Sequence, residues 1–432
     1  MGIPFYFMSL IKAHTGIVKP LRKSEPLKVD VLCIDFNCLI HKYLKDEDPI
    51  QSVLDGLKMI MEDVCHSTKI LIAFDGLVPY GKIVQQRYRR MRNKSMEEQG
   101  SFDRNQISPD TPYMKKLELE LSKQFPNIQI SPTQKSGEGE HKIFKELRKE
   151  KTQLKSICIY GLDADLILLS LYHHSLASEE MYLLRESIEM HSSEEFSILN
   201  CKSLSKVLPI DINQYLVLCI ICFGNDFMPN LALFSLRDGG YDRALQIYEK
   251  CGKPNLLDEE GRFKFLEESS KYEMEFLRTR RNNPYEKQII GKDLKTIQKK
   301  YYLHNLDGIK NIDNVVIAYW KTFHWTLDYF INNKPINWNW VYPYSDAPLI
   351  ENIIECYEVQ CEKAPLKFTI TDQLRFILPI KSLKEAKRKP IFKDEIYDES
   401  RPLWIKKHDW EMQPLISLPW NPILSLTSIS PL

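Results

Sequence analysis

The sequence predicts an α/β protein: a mixed, mostly parallel sheet flanked by helices, with a second, helical and aromatic module wrapped against it. Three observations lead there. Residues 1–250 alternate short apolar runs with helical patterns, the order that a βαβ sheet requires. Four of those runs read as buried strands running straight into an acid: VDVLCIDF (29–36), KILIAFD (69–75), SICIYGLDAD (156–165) and LVLCIICFGND (216–226). Beyond residue 250 the composition shifts. A charged, helix-prone connector at 251–310, broken at Asn282-Asn283-Pro284, leads into 311–432, where Tyr319, Trp320, Phe323, Trp325, Tyr329, Phe330, Trp338, Trp340, Tyr342 and Tyr344 crowd together.

Each strand matters for where it ends. A carboxylate at the C-terminal end of a parallel strand stands at the rim of the sheet, where α/β proteins bind ligands. Asp35, Asp75, Asp163, Asp165 and Asp226 occupy such positions, and Glu138 and Glu140 stand where the helix of SGEGEHKIFKELRKE (136–150) begins. Singly, each has an ordinary reading. A strand-end aspartate is commonly a helix cap or turn residue, and a glutamate in a first helical turn gains from the helix dipole. Jointly they go further: Asp163 and Asp165 straddle only Ala164, Glu138 and Glu140 straddle Gly139, and Gly137 and Gly139 let the backbone bend close to a ligand. Seven like charges in one crevice repel unless a cation neutralises them. All-oxygen ligands favour Mg²⁺ or Mn²⁺ over zinc. Seven carboxylates exceed the need of one octahedral ion, so two ions are expected, one turning water into hydroxide and one stabilising a departing 3′-oxygen.

Residues 78–98 read as one basic helix opened by Pro79. Lys82, Gln86, Arg89 and Arg90 fall at i, i+4, i+7 and i+8 and share a face, a donor-rich surface suited to a terminal phosphate beside the acidic crevice. Arg87, Arg92 and Lys94 point elsewhere and read as solvated. A charged helix face is ordinarily just a surface, and only its closeness to Asp75 favours the phosphate reading.

Composition narrows the remaining classes. The 59 basic and 58 acidic residues nearly cancel, so nucleic-acid binding has to rest on a local patch. Ten cysteines lie without regular spacing, mostly inside apolar runs, which suits a reducing compartment, and Cys219 and Cys222 read as core packing rather than a redox or zinc pair. No run approaches the roughly 20 apolar residues of a membrane span. The N-terminal stretch lacks a basic region and cleavage site, so no signal peptide is expected, and Tyr6 stands where N-myristoylation needs Ser or Thr. Prolines 414, 419, 422 and 431 suggest an extended tail laid over the rest of the chain.

The motifs together resemble the XRN family of 5′→3′ exoribonucleases: MGIPFYF (1–7), DFNCLIH (35–41), AFDGLVPYGKIVQQRYRRMR (73–92), SGEGEHKI (136–143), CIYGLDADLILL (158–169), LLRE (183–186) and GNDFMP (224–229). WTLDYFINNKPINWNWVYPYSDAPLI (325–350), QLRFILP (373–379) and HDWEMQPLISLP (408–419) follow in order. The resemblance implies a PIN/flap-nuclease-like core. It also implies that Asp35, Asp75, Glu138, Glu140, Asp163, Asp165 and Asp226 hold two divalent cations, and that Lys82, Gln86, Arg89 and Arg90 receive a 5′-monophosphate. By itself His41 reads as a turn or core histidine. The resemblance implies that it stacks on the first base with Trp338 or Trp340, a sequence-tolerant contact. The implied substrate is single-stranded RNA with a 5′-monophosphate, the implied location cytoplasmic, and the implied state monomeric. The chain departs from longer family members in its short linker and in Asn230. Two other functional readings stand beside this one: a flap-type 5′ nuclease acting on DNA, and an inactive RNA-binding scaffold. The basic run at 384–390 reads as a solvated face, with nuclear import or tethering as a secondary reading.

Overall fold

A computed structural model describes residues 2–22, 24–94, 102–187, 195–280, 294–306, 308–385 and 388–389. One seven-stranded sheet organises them: β1 (Val18–Leu21), β2 (Leu27–Asp35), β3 (Cys65–Ala73), β4 (Gln129–Ser131), β5 (Leu154–Tyr160), β6 (Ala177–Glu186) and β7 (Phe196–Asn200), in the order β1-β7-β6-β5-β2-β3-β4. Strands β6, β5, β2, β3 and β4 are parallel neighbours, and β7 and β1 add antiparallel pairs at one edge. The expected mixed, mostly parallel sheet is therefore present. Its central strand β2 is buried from Val31 to Asp35, because helices cover both faces, and so it reads as an unbroken apolar run.

Three of the four acid-ended runs are strands, and the fourth is not. Residues 216–223 belong to a helix, Ile212–Phe223, capped by Asp211, whose carboxylate accepts from the N–H groups of Asn213 (2.9 Å) and Gln214 (3.3 Å). Every residue from Tyr215 to Phe223 is buried, so the helix has no polar stripe to betray its period. A wholly buried helix and a wholly buried strand are the same string of apolar letters, and the distinguishing signal was the Asp211 cap upstream. Cys219 and Cys222 lie buried in this helix as free thiols.

The basic helix spans Tyr80–Lys94. Beyond residue 250 come helices Glu259–Arg280, Leu294–Asn305 and Ile312–Asn332. The last buries Tyr319, Trp320, Phe323, Trp325, Tyr329 and Phe330 in the same apolar cluster as Ile157 and Ile159 of β5, so one continuous core runs from the sheet into the aromatic region. No single helix among the described residues is long and apolar enough to cross a membrane. The 408–419 motif, the proline-rich tail, the Asn282-Asn283-Pro284 break and part of the 384–390 run lie outside the described residues. Within that run Arg388 pairs with Asp110 at 2.8 Å.

Candidate active site

Local chemistry delivers each acid to one end of the sheet. Asp35 is the last residue of β2, Asp75 follows β3 by two residues, and Asp163 and Asp165 follow β5, with Asp165 opening the helix Asp165–Tyr172. Glu138 occupies the N-cap position of the helix Gly139–Leu147 without a side-chain capping bond, which leaves its carboxylate free for other partners, and Glu140 lies in the first turn. Asp226 enters from the turn after Ile212–Phe223, where Gly224 adopts a positive φ of 65°. A side chain on Gly139 would bring its Cβ to 2.8 Å from Asp35 Oδ1 and 3.1 Å from the Ala73 carbonyl, so only glycine lets this backbone approach; its N–H donates to Asp75 Oδ1 at 2.7 Å. Asn37 Nδ2 donates to the other Asp75 oxygen at 2.9 Å.

The electrostatics are those of converging acids only partly offset by cations. Burial and the Asp75 carboxylate push Asp35 up to about 8. Burial, Asp163 and Asp226 push Asp165 up to about 7, and burial, Asp165 and Glu138 raise Glu140. Four carboxylate oxygens, Asp35 Oδ1, Glu140 Oε2, Asp165 Oδ1 and Asp226 Oδ1, are buried without a hydrogen-bond partner. Such oxygens cost free energy unless a donor or cation reaches them, so the residues present fit a divalent-cation site. Lys82 supplies the positive charge in this arrangement. Its Nζ lies 2.7 Å from Glu138 Oε2 and 2.6 Å from Asp226 Oδ2. Burial would lower its pKa, but the carboxylates of Asp226 and Glu138 outweigh burial and keep it protonated. Among the described residues no three Asp, Glu, His or Cys side chains form a ready metal-ligand set, and Lys82 sits between two of the acids that would contribute.

The helix face assigned to phosphate divides. Lys82 is buried among the acids, while Gln86, Arg89 and Arg90 are half-buried further along. Arg90 donates to the Asn105 side-chain oxygen (3.2 Å) and, more weakly, to the carbonyls of Asn105 and Ile107. Burial and the neighbouring Arg89 lower its pKa to about 10. The expectation that Arg87 is solvated is wrong. Arg87 is buried, donates to the Phe376 carbonyl and lies over the Phe376 ring, because residues 370–378 pack across that side of the helix. His41 is exposed to solvent on one side. Crowding by surrounding atoms, together with the guanidinium groups of Arg89, Arg104 and Arg90, lowers its pKa to about 4 and keeps the ring neutral near pH 7. No ring contact joins His41 to Trp338 or Trp340 among the described residues. Trp338 packs in the cluster of Leu77, Val78, Tyr80 and Ile83, and Trp340 Nε1 donates to Thr322 Oγ1 at 3.0 Å.

Four supporting residues were given no role in the sequence reading. Tyr329, on the Ile312–Asn332 helix, donates its hydroxyl to Glu138 Oε1 at 2.8 Å. His141 stacks on Tyr329 with centroids 3.8 Å apart, and Asn333 Nδ2 donates to His141 Nδ1 at 3.0 Å. Arg185 donates to the carbonyls of Leu162 and Asp163 and lies 4.3 Å over Phe7, bracing the turn that presents Asp163. A buried tyrosine needs a partner for its hydroxyl, which was the one available signal for Tyr329.

With strand-end acids beside a basic helix, the site defines a nuclease-like carboxylate crevice. Two family models match: XRN 5′-3′ exonuclease N-terminus over residues 1–187 and Xrn1 helical domain over residues 295–403. The chain belongs to the XRN family. It is 27% identical over 316 residues to 5′-3′ exoribonuclease 1 of Saccharomyces cerevisiae, covering 58% of this chain and 21% of that protein. The human 5′-3′ exoribonuclease 1 is 30% identical over 308 residues, covering 54% of this chain and 17% of the relative. Against 5′-3′ exoribonuclease 2 of S. cerevisiae the identity is 25% over 357 residues, with 58% of this chain and 35% of the relative covered. The chain thus spans about a fifth to a third of the curated relatives it matches. Among solved structures, the catalytic core of Rad2 in complex with DNA substrate gives a TM-score of 0.41 at 14% identity, covering 80% of this chain and 92% of that one. Human GEN1 in complex with Holliday junction DNA gives 0.41 at 11%, covering 75% and 79%.

Proposed function

We propose that the chain is a metal-dependent 5′→3′ exoribonuclease that hydrolyses single-stranded RNA from a 5′-monophosphate end and releases mononucleotides. The observation that carries this reading is the set of four buried, unpartnered carboxylate oxygens, on Asp35 at the end of β2, on Glu140 and Asp165 in first helical turns and on Asp226 after Ile212–Phe223, with Lys82 of the basic helix among these acids. Asp35, Asp75, Glu138, Glu140, Asp163, Asp165 and Asp226 would hold two Mg²⁺ or Mn²⁺ ions. When bound, such ions neutralise charge at a phosphoryl centre and lower the pKa of a water molecule.

The protein's own groups do the remaining work. Arg89 and Arg90, with Gln86, offer donors to a terminal phosphate and so set the register of the strand. Lys82 is shared between the acids and the phosphate-facing side of its helix, linking the two sites through one ammonium group. The neutral ring of His41 offers a flat face to a base without adding charge, with Trp338 or Trp340 as the opposing face. Tyr329 fixes one oxygen of Glu138 and leaves the other turned toward Lys82 and the crevice. End-labelled RNAs carrying a 5′-phosphate, hydroxyl, triphosphate or cap, incubated with Mg²⁺ and with EDTA, test the proposal. Stepwise loss of the phosphorylated RNA alone, abolished by EDTA, is the expected result. Preference for a DNA flap, or equal turnover of all four ends, would overturn it.

A further inference from the structure

Cys38 has an apolar cluster on one side and the acidic crevice on the other. It lies half-buried in the short helix Phe36–Lys42, and its Sγ donates to Asp35 Oδ2 at 3.0 Å. Asp35 occupies the N-cap position of that helix, yet its side chain makes no capping hydrogen bond, although the Asn37 N–H faces the carboxylate. The other oxygen, Asp35 Oδ1, is among the buried, unpartnered oxygens of the crevice and lies on the side of Gly139. The two oxygens of one carboxylate are thus treated differently: a thiol holds one, and the other is left without a donor.

The sulfur also faces the Leu162 N–H, in the turn that carries Asp163 and Asp165. Arg185 holds the carbonyl of the same residue from the other direction. Strands β2 and β5 are parallel neighbours, with Ile34 opposite Tyr160, so the side chain of Cys38 spans the ends of both. A thiol is a weak donor and a weak acceptor. Here each capacity is turned toward a segment that carries acids of the crevice.

We infer that Cys38 is a positioning residue. Its thiol fixes the Asp35 carboxylate against the Leu162–Asp165 turn, so that Oδ1 stays unpaired and available to a divalent cation. A partner that orients a ligating carboxylate tunes the affinity of the whole site. The inference rests on the metal-dependent reading of the crevice and deepens it.

Mn²⁺ titration of the full chain without RNA, followed by paramagnetic resonance, tests the inference apart from turnover. Cys38→Ala removes the donor and should weaken binding about tenfold. Cys38→Ser keeps a donor at that place and should stay within about threefold of the native chain. Urea midpoints of the two variants in EDTA should agree, which places the difference between them in the site and not in the fold. In the metal-free chain, the infrared S–H band lost in Cys38→Ala should lie at the lowered frequency of a hydrogen-bonded thiol. A free-thiol frequency, a Cys38→Ala midpoint well below that of Cys38→Ser, or equal loss of Mn²⁺ affinity in both variants would overturn the inference. So would Cys38→Ala binding within about twofold of the native chain. Each of these results leaves the cation site itself standing. A native chain that takes up no Mn²⁺ at about 10 mM would overturn the metal-dependent reading and this inference with it.

Discussion

Glu273 and Asp35 are both sealed from water, and burial pushes each up to about 8. Each keeps one oxygen without a hydrogen-bond donor. Their surroundings differ. Glu273, inside the helix Glu259–Arg280, accepts from the Ile350 N–H at 2.7 Å and feels Glu351 as its neighbouring acid. Asp35 faces Asp75 and Asp163, and the cluster extends through Asp165, Glu140, Glu138 and Asp226, all held at one end of the sheet. A raised proton affinity by itself therefore marks burial. Convergence of several acids from separate strands marks a cation site.

The largest expected effect that separates the two regions is on Asp163. Asp163→Ala should lower cleavage of 5′-phosphorylated RNA by roughly a hundredfold or more while far-UV circular dichroism stays unchanged. Activity above a tenth of normal would count against its role. Next, Arg90→Ala should slow the phosphorylated substrate about tenfold or more relative to a hydroxyl-ended one. An equal loss on both ends would mean that Arg90 only braces the Asn105 loop.

Tyr329→Phe keeps the ring that stacks on His141 and removes only the donor to Glu138. Loss of a partner that orients a ligating carboxylate should weaken Mn²⁺ binding about tenfold, read by paramagnetic resonance titration. Unchanged affinity would limit Tyr329 to packing.

The smallest effect on activity belongs to Glu273. An acid whose folded pKa is raised contributes stability that is full below its unfolded value, near 4.5, and is lost as pH rises through about 8. Glu273→Gln should flatten that decline in unfolding free energy, read from urea titrations across the pH range, by a few kcal/mol at most, and leave RNA cleavage within about twofold. An undiminished slope would show that the native carboxyl is ionised.

How much was legible depends on whether a contact is local in the chain. The strand ends at Asp35, Asp75 and Asp163 could be read because aliphatic runs and their terminal acids are contiguous. The face of Tyr80–Lys94 was legible from its period, although the period could not say which arginine another segment would cover. Arg87 meets Phe376, 289 residues away, and Tyr329 meets Glu138, 191 residues away. Such pairings leave no trace in spacing. The Ile212–Phe223 helix failed for the opposite reason: burial on every side erased the periodicity that separates helix from strand.

Tyr329 lies within the region matched by the helical-domain model, and Glu138 within that matched by the N-terminal one. Arg148 adds a second tie, donating to the carbonyls of Ile331 (2.7 Å) and Asn332 (2.8 Å). The two matched segments are thus tied at both ends of the helix Gly139–Leu147, through Glu138 at its start and Arg148 at its end. In any gene rearrangement they would have to be inherited together, because a fragment ending near residue 190 would keep six of the seven acids and lose both Asp226 and the hydroxyl that steadies Glu138.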